Sequence, residues 1–364
     1  MTPVEITPPC SVTVESAGSS ESAYSALLSR SQSKAPLVKP SRVGALDFAK
    51  GALVLIMVLY HWMNYFVSAD GSVYKYLRFL TPSFIFITGF LIAQVYLFRG
   101  ESLRPGVPKR LLVRGLKLLV IVAVLNALLT AIPTNGLRIR MNYDSPADIA
   151  TAFLLGISPV AFSVLVPIAY LLIFSAILLP VWRYSKLTFH IACAISLSVA
   201  FVLDLKGFKN NYLQIFSLGT LGISVGHVSM ARLNKILSHF LVIVAGYVAY
   251  LAAITVWDVT FSLQIVGVSL SLAIIYLVGK RYSEANRIGE TVVLLGQYSL
   301  FGYIAQIIIL QMIRKVAHPV GSDIAIRALA LLAGAVCTIL AVIAMDRLRK
   351  RGRLANQIYT AVFG

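Results

Sequence analysis

Leu46-Asp-Phe-Ala-Lys50-Gly51-Ala-Leu-Val-Leu-Ile-Met-Val-Leu-Tyr60-His61-Trp-Met-Asn64 is the stretch that decides the fold. Its middle is apolar for nearly three helical turns, and its polar residues stand at the two ends. The whole run is about as long as a hydrocarbon core of roughly 30 Å requires of a crossing helix. Lys50 and His61 are eleven residues apart. At 100° per residue that is close to three whole turns, so the two share one helical face about 16 Å apart along the axis. Asp47 lies three residues before Lys50 and Asn64 three after His61, which puts all four on one stripe, with Val54 and Met57 between. Ionisable groups inside a span are costly and face a protein-lined cavity or one another.

The pattern of this stretch repeats along the chain. Apolar residues make up 58% of the 364 and charged residues 13%, about half the charge of a soluble globular domain. Mean hydropathy is +0.83. Ten apolar spans are expected, at 46–68, 77–98, 111–132, 159–181, 187–204, 211–230, 236–256, 260–279, 291–313 and 324–346. They are long and unalternating, which selects helices over strands. Residues 147–158 read as a short interfacial helix. Residues 1–40, rich in Ser, Thr, Pro and Ala, read as a disordered cytosolic tail with no secretory core. Residues 351–364 read as a short cytosolic C-terminal tail.

A net charge of +18 would suit nucleic acid, but the distribution of the charges points elsewhere. With the N-terminus inside, 23 of the 32 Lys and Arg fall on the inner side and 9 on the outer. Basic residues collect in cytoplasmic loops. The expected fold is therefore an all-α polytopic membrane bundle of about ten helices with both termini cytosolic and no nucleic-acid partner. Cys10, Cys193 and Cys337 form no CxxC, and no His, Cys or carboxylate cluster has metal spacing, so no metal is expected.

Taken by themselves, Lys50 and His61 have ordinary readings. Lys50 can snorkel to the headgroups, paired with Asp47, and His61 can hydrogen-bond a neighbouring helix. Their context carries a resemblance. Leu46, Asp47, Lys50, Gly51 and His61 resemble the opening helix of the transmembrane acyltransferases, the acyltransferase 3 family above all, with its Leu-Asp-x-x-Arg-Gly and a His eleven residues after the basic position. Pro82-Ser-Phe-Ile-Phe-Ile-Thr88-Gly89-Phe-Leu-Ile-Ala93 is similar to that family's Phe-Phe-x-x-Ser-Gly-Phe segment. It is also similar to the glucan succinyltransferases and the heparan N-acetyltransferase relatives. Lys109-Arg110-Leu-Leu-Val-Arg114-Gly-Leu-Lys117 matches the basic run that opens the third span. Leu295-Gly-Gln-Tyr-Ser-Leu-Phe-Gly-Tyr303-Ile-Ala-Gln306 resembles a late segment in which Gln306 stands where the family carries His.

This resemblance covers spans one to three and nine. It implies a transmembrane acyltransferase domain over 41–350, in the cell (inner or plasma) membrane. The co-substrate would be cytosolic acyl-coenzyme A, acetyl above other acyl groups. The acceptor would be a hydroxyl or amine of a cell-envelope glycan, glycolipid or small molecule. His61 is the residue the resemblance makes essential, as general base or as transient acyl carrier. Asp47, Asn64 and Gln306 would support it. Lys50, Arg110, Arg114 and Lys117 would hold the coenzyme's phosphates. A membrane exporter of a lipid-linked or sugar intermediate is the competing reading, since a polar cavity in a bundle would serve it too. No internal repeat supports that reading.

Overall fold

Helix α1 (Gly44–Trp62) begins the first span and continues through a π-helical turn at Met63–Val67. The computed structural model describes residues 43–67, 71–97, 106–131, 162–208, 210–283, 286–317 and 323–363. The expected tail at 1–40 and the expected interfacial helix at 147–158 lie outside the described residues. The elements that follow α1 are α2 (Leu80–Ile92), α3 (Val107–Ala131), α4 (Leu165–Tyr184), α5 (Lys186–Leu205), α6 (Asn211–Val225) and α7 (Met230–Leu237). They continue with α8 (Phe240–Val256), α9 (Phe261–Tyr282), α10 (Arg287–Gln297), α11 (Ser299–Ala317), α12 (Ile324–Arg351) and α13 (Arg353–Phe363). The protein is an all-α polytopic membrane bundle.

Each of the ten expected spans falls on helix, but among the described residues eight helices are long and apolar enough to cross by themselves, or nine if a bent pair counts as one. The sixth, α6, stops after 15 residues, and α7 leaves it at 106°. Gly226 marks the bend, with its backbone against Phe90 of α2. Gln94 Nε2 donates to the carbonyls of Gly226 (2.7 Å) and Val228 (2.9 Å), replacing the helical bonds lost there. The seventh, α8, has 17 residues and ends in extended backbone at Trp257. The ninth expected span divides at Tyr298 into α10 and α11, and α11 is the part long enough to cross.

Helix directions follow from the contacts. Trp62 Nε1 donates to the Arg327 carbonyl, while Val54 packs with Val342, so α1 and α12 are antiparallel. Gly219 and Gly222 of α6 meet Ile85 and Phe86 of α2, and Gly226 meets Phe90, a parallel pair. Ser196 bonds Ser217, and Gln214 bonds Asp204, which sets α5 antiparallel to α6. These pairings are the ones that alternating passage of ten helices produces. They gather Lys50, Lys280, Tyr298 and Arg349 toward one end of α1, and Trp62, Lys75 and Arg327 toward the other.

The side chains are sorted for lipid rather than water. On α12, Ala330, Gly334, Thr338 and Val342 face inward at four-residue spacing, while Leu329, Leu332, Val336 and Leu340 face out. Lipid is as apolar as leucine, so close packing of small residues holds such helices together. The C-terminal segment is more than a tail. In α13 the Tyr359 ring lies under the Arg349 guanidinium (4.1 Å). Arg349 also donates to the Tyr298 hydroxyl, which in turn donates to Asp346 (3.0 Å).

The tightest contact joins α1 to α10. A Cβ at Gly51 would strike the Val292 carbonyl, and one at Gly296 would strike the Asp47 carbonyl. At Gly246 the nearest atom is a Leu270 methyl 3.6 Å away. Gly296→Val is therefore expected to cost about 3 kcal/mol or more. It should lower the melting temperature in detergent and the yield of monodisperse protein. Gly246→Ala should leave both unchanged or slightly improved.

Candidate active site

The N-terminal end of α1 carries an ion pair. Lys50 Nζ sits 2.6 Å from Asp47 Oδ1, one helical turn away. Asp47 is buried because its backbone is pressed against α10 at Gly296. The Lys50 side chain lies along the wall of a cavity of about 130 Å³. Phe84 and Thr88 of α2, Leu118 of α3, Leu165 of α4, and Ser299 and Tyr303 of α11 form most of the rest. The lining is largely apolar, with one ammonium and three hydroxyl-bearing residues, Thr88, Ser299 and Tyr303. The Thr88 hydroxyl donates back to the Phe84 carbonyl (2.8 Å). Four helices and Lys50 of α1 thus line a small cavity with a cation in its wall.

Three turns along α1, His61 stands in an aromatic enclosure. Tyr60 meets it edge-on at 5.3 Å between ring centroids, Tyr65 stacks on it at 5.9 Å, and Tyr303 lies tilted at 6.4 Å. The residue keeps some exposed area, but its Nε2 is sealed and has no hydrogen-bond partner among the described residues. The π-helical turn that starts at Met63 alters the helix phase right after His61. Such turns recur at functional sites. Here Tyr65 comes back over the imidazole and Asn64 is exposed. The Arg314 guanidinium lies 5.9 Å from the centroid of the Tyr65 ring.

Tyr303 belongs to both places. It lines the Lys50 cavity and neighbours His61. One turn farther along α11 is Gln306, fully buried, with neither amide nitrogen nor amide oxygen hydrogen-bonded among the described residues. Buried amides are normally paired, and an orphan points to strain, a water or a ligand.

The basic residues of α3 form a stripe at the same end as Lys50. Arg110 and Arg114 are exposed and Lys117 is half-buried. Arg114 Nη1 reaches the Tyr96 hydroxyl at the end of the second span (3.4 Å). Lys117 directly precedes Leu118, which forms part of the cavity wall. Lys50 is the charged residue of the cavity lining, and the α3 stripe stands on the helix that supplies Leu118 to that lining.

Sequence reasoning had singled out Lys50, His61, Gln306 and the α3 stripe. It passed over Tyr65 and Phe162, and it used Tyr303 and Thr88 only as motif letters. Aromatic residues in an apolar span have no pattern that separates an active-site wall from lipid-facing packing. The intramembrane amides Gln94 and Gln214 make interhelical hydrogen bonds.

In a comparison with protein families, the acyltransferase-domain model matches residues 43–347. No curated protein and no solved structure gives a match.

An orphaned amide in a dry core opposes folding, so Gln306→Leu is expected to raise the melting temperature in detergent while lowering activity. The gain should be about 1–3 kcal/mol. Gln94→Leu loses two hydrogen bonds and should lower the melting temperature. Parallel thermal unfolding of the two variants checks the contrast.

Proposed function

The chain belongs to the acyltransferase 3 family, and from that premise we propose that it moves a short acyl group, acetyl first, from cytosolic acyl-coenzyme A to a cell-envelope acceptor. The acceptor is a hydroxyl or amine of a glycan, a glycolipid or a small molecule, in the inner or plasma membrane. One observation carries the reading. A cavity lined by Lys50 also has Tyr303 in its wall, and the Tyr303 ring neighbours His61.

Coenzyme A is a polyanion on a long, thin arm. Its phosphates suit Lys50, Arg110, Arg114 and Lys117, because charge-assisted hydrogen bonds to phosphate oxygens are the strong ones. The apolar walls of the cavity suit the arm, and the small volume suits a short acyl group. Asp47 holds the Lys50 ammonium at the cavity until phosphate competes for it.

His61 is the group that completes the chemistry. Its Nε2 accepts the proton of the acceptor hydroxyl as the oxygen attacks the thioester carbonyl. A new C–O bond forms, the C–S bond breaks, and the imidazolium returns the proton to the departing thiolate. Atoms and charge balance without a further reagent. Proton transfer by a placed imidazole contributes about 10²- to 10⁴-fold. Tyr60, Tyr65 and Tyr303 fix the ring's orientation, and Gln306 offers an amide to an oxygen near the same wall.

Membranes carrying the wild-type chain should incorporate label from radiolabelled acetyl-coenzyme A, and His61→Ala membranes should lose at least about 100-fold. A folded His61→Ala protein with full activity would overturn the assignment. Lys50→Ala should instead raise KM for the coenzyme about tenfold or more, with a smaller effect on kcat. Steady-state kinetics on the same membranes separate the two roles.

A further inference from the structure

The Lys50 cavity and His61 are adjacent, yet an aromatic ring stands between them. Tyr303 lines the cavity on one side, and on the other its ring centroid is 6.4 Å from that of the imidazole. A carbon atom needs about 3.5–4.0 Å to each neighbour, so no acyl carbon fits between the two rings as they stand. The Tyr303 ring is itself braced. Phe162 meets it edge-on at 6.1 Å, with an interplanar angle of 82°.

Phe162 is an unusual brace. It is buried, lies just before α4, and has φ of 60°. Among the described residues it is the one non-glycine with positive φ. A bulky side chain in the left-handed region is strained, and such strain persists where the surroundings over-determine it, often beside a functional site. The backbone accepts the strain here, and the result is a ring pressed against Tyr303.

We propose that Tyr303, held by Phe162, is the partition that decides which acyl groups reach His61. The ring swings aside to let the thioester approach the imidazole, and the space that it vacates admits short acyl groups and excludes long ones. This rests on the donor reading given under Proposed function.

Two measurements on the full-length protein test it. The first is release of free coenzyme A from acetyl-, butyryl- and hexanoyl-coenzyme A by membranes containing wild type, Tyr303→Ala or Phe162→Gly. Glycine adopts positive φ without steric cost, so Phe162→Gly keeps the backbone and removes only the ring. Wild type should favour acetyl over hexanoyl, and each variant should shift that ratio toward hexanoyl tenfold or more. The second is the rate at which diethylpyrocarbonate carbethoxylates His61 in detergent, read by peptide mass spectrometry. It should rise at least fivefold in both variants. Folded variants with wild-type chain-length ratios and wild-type carbethoxylation rates would overturn the partition. Wild-type membranes that release coenzyme A from none of the three thioesters would overturn the donor reading instead. The carbethoxylation rate would then decide on the partition alone, an unchanged rate counting against it.

Discussion

The backbone contact between Gly51 of α1 and Gly296 of α10 is the constraint on which the site depends. α1 carries both the cation and the imidazole, so everything chemical hangs on where that helix lies and how it is rotated. With no side chain at either glycine, the two backbones touch, and Asp47 is pinned against α10. Asp47 in turn holds Lys50. The rotation that seats these groups also fixes the direction of His61 three turns on, because a helix is stiff over that length. A β-carbon at either glycine would push α1 outward and spread the cavity walls.

The bilayer sets the second constraint. In lipid, association cannot draw on burying apolar surface from water, so helices approach where small residues permit it. The glycines of α2 and α6 repeat the logic, Gly89 facing Gly219 and Gly222 facing Phe86. Beside these close approaches, residues of α2, α3, α4 and α11 line a cavity with Lys50 of α1. Its walls are apolar because they derive from helices selected for lipid solubility. Lys50 is the one charged group in its lining.

Much of this was legible beforehand. Hydropathy located ten helices, and loop charge implied an alternation that the interhelical contacts reproduce. The failures are instructive. α6 was drawn to residue 230, yet it ends at Val225 and the chain turns through 106°. Hydropathy reports no change of direction, and the Gln94 amide that stabilises the turn comes from a helix 132 residues earlier. The ninth span was drawn through Tyr298, where the helix breaks. There Tyr298 bonds Asp346 and Arg349, about fifty residues away. Asn64 was placed on the His61 stripe by a uniform 100° step, and the π-helical turn from Met63 changed that step.

What the sequence determined by itself was local and periodic: which segments are apolar, which way successive segments run, and that Lys50 and His61 share a face of one helix. Those properties follow from composition and from the geometry of a single helix, so no knowledge of neighbours is needed. The tertiary structure alone decided that a cavity exists beside Lys50, that Tyr303 both lines it and neighbours His61, and that Phe162 meets that ring edge-on. Each of these is a meeting of side chains from about 30 to about 250 residues apart, and the chain has no local signal for which aromatic of many will stand at such a junction.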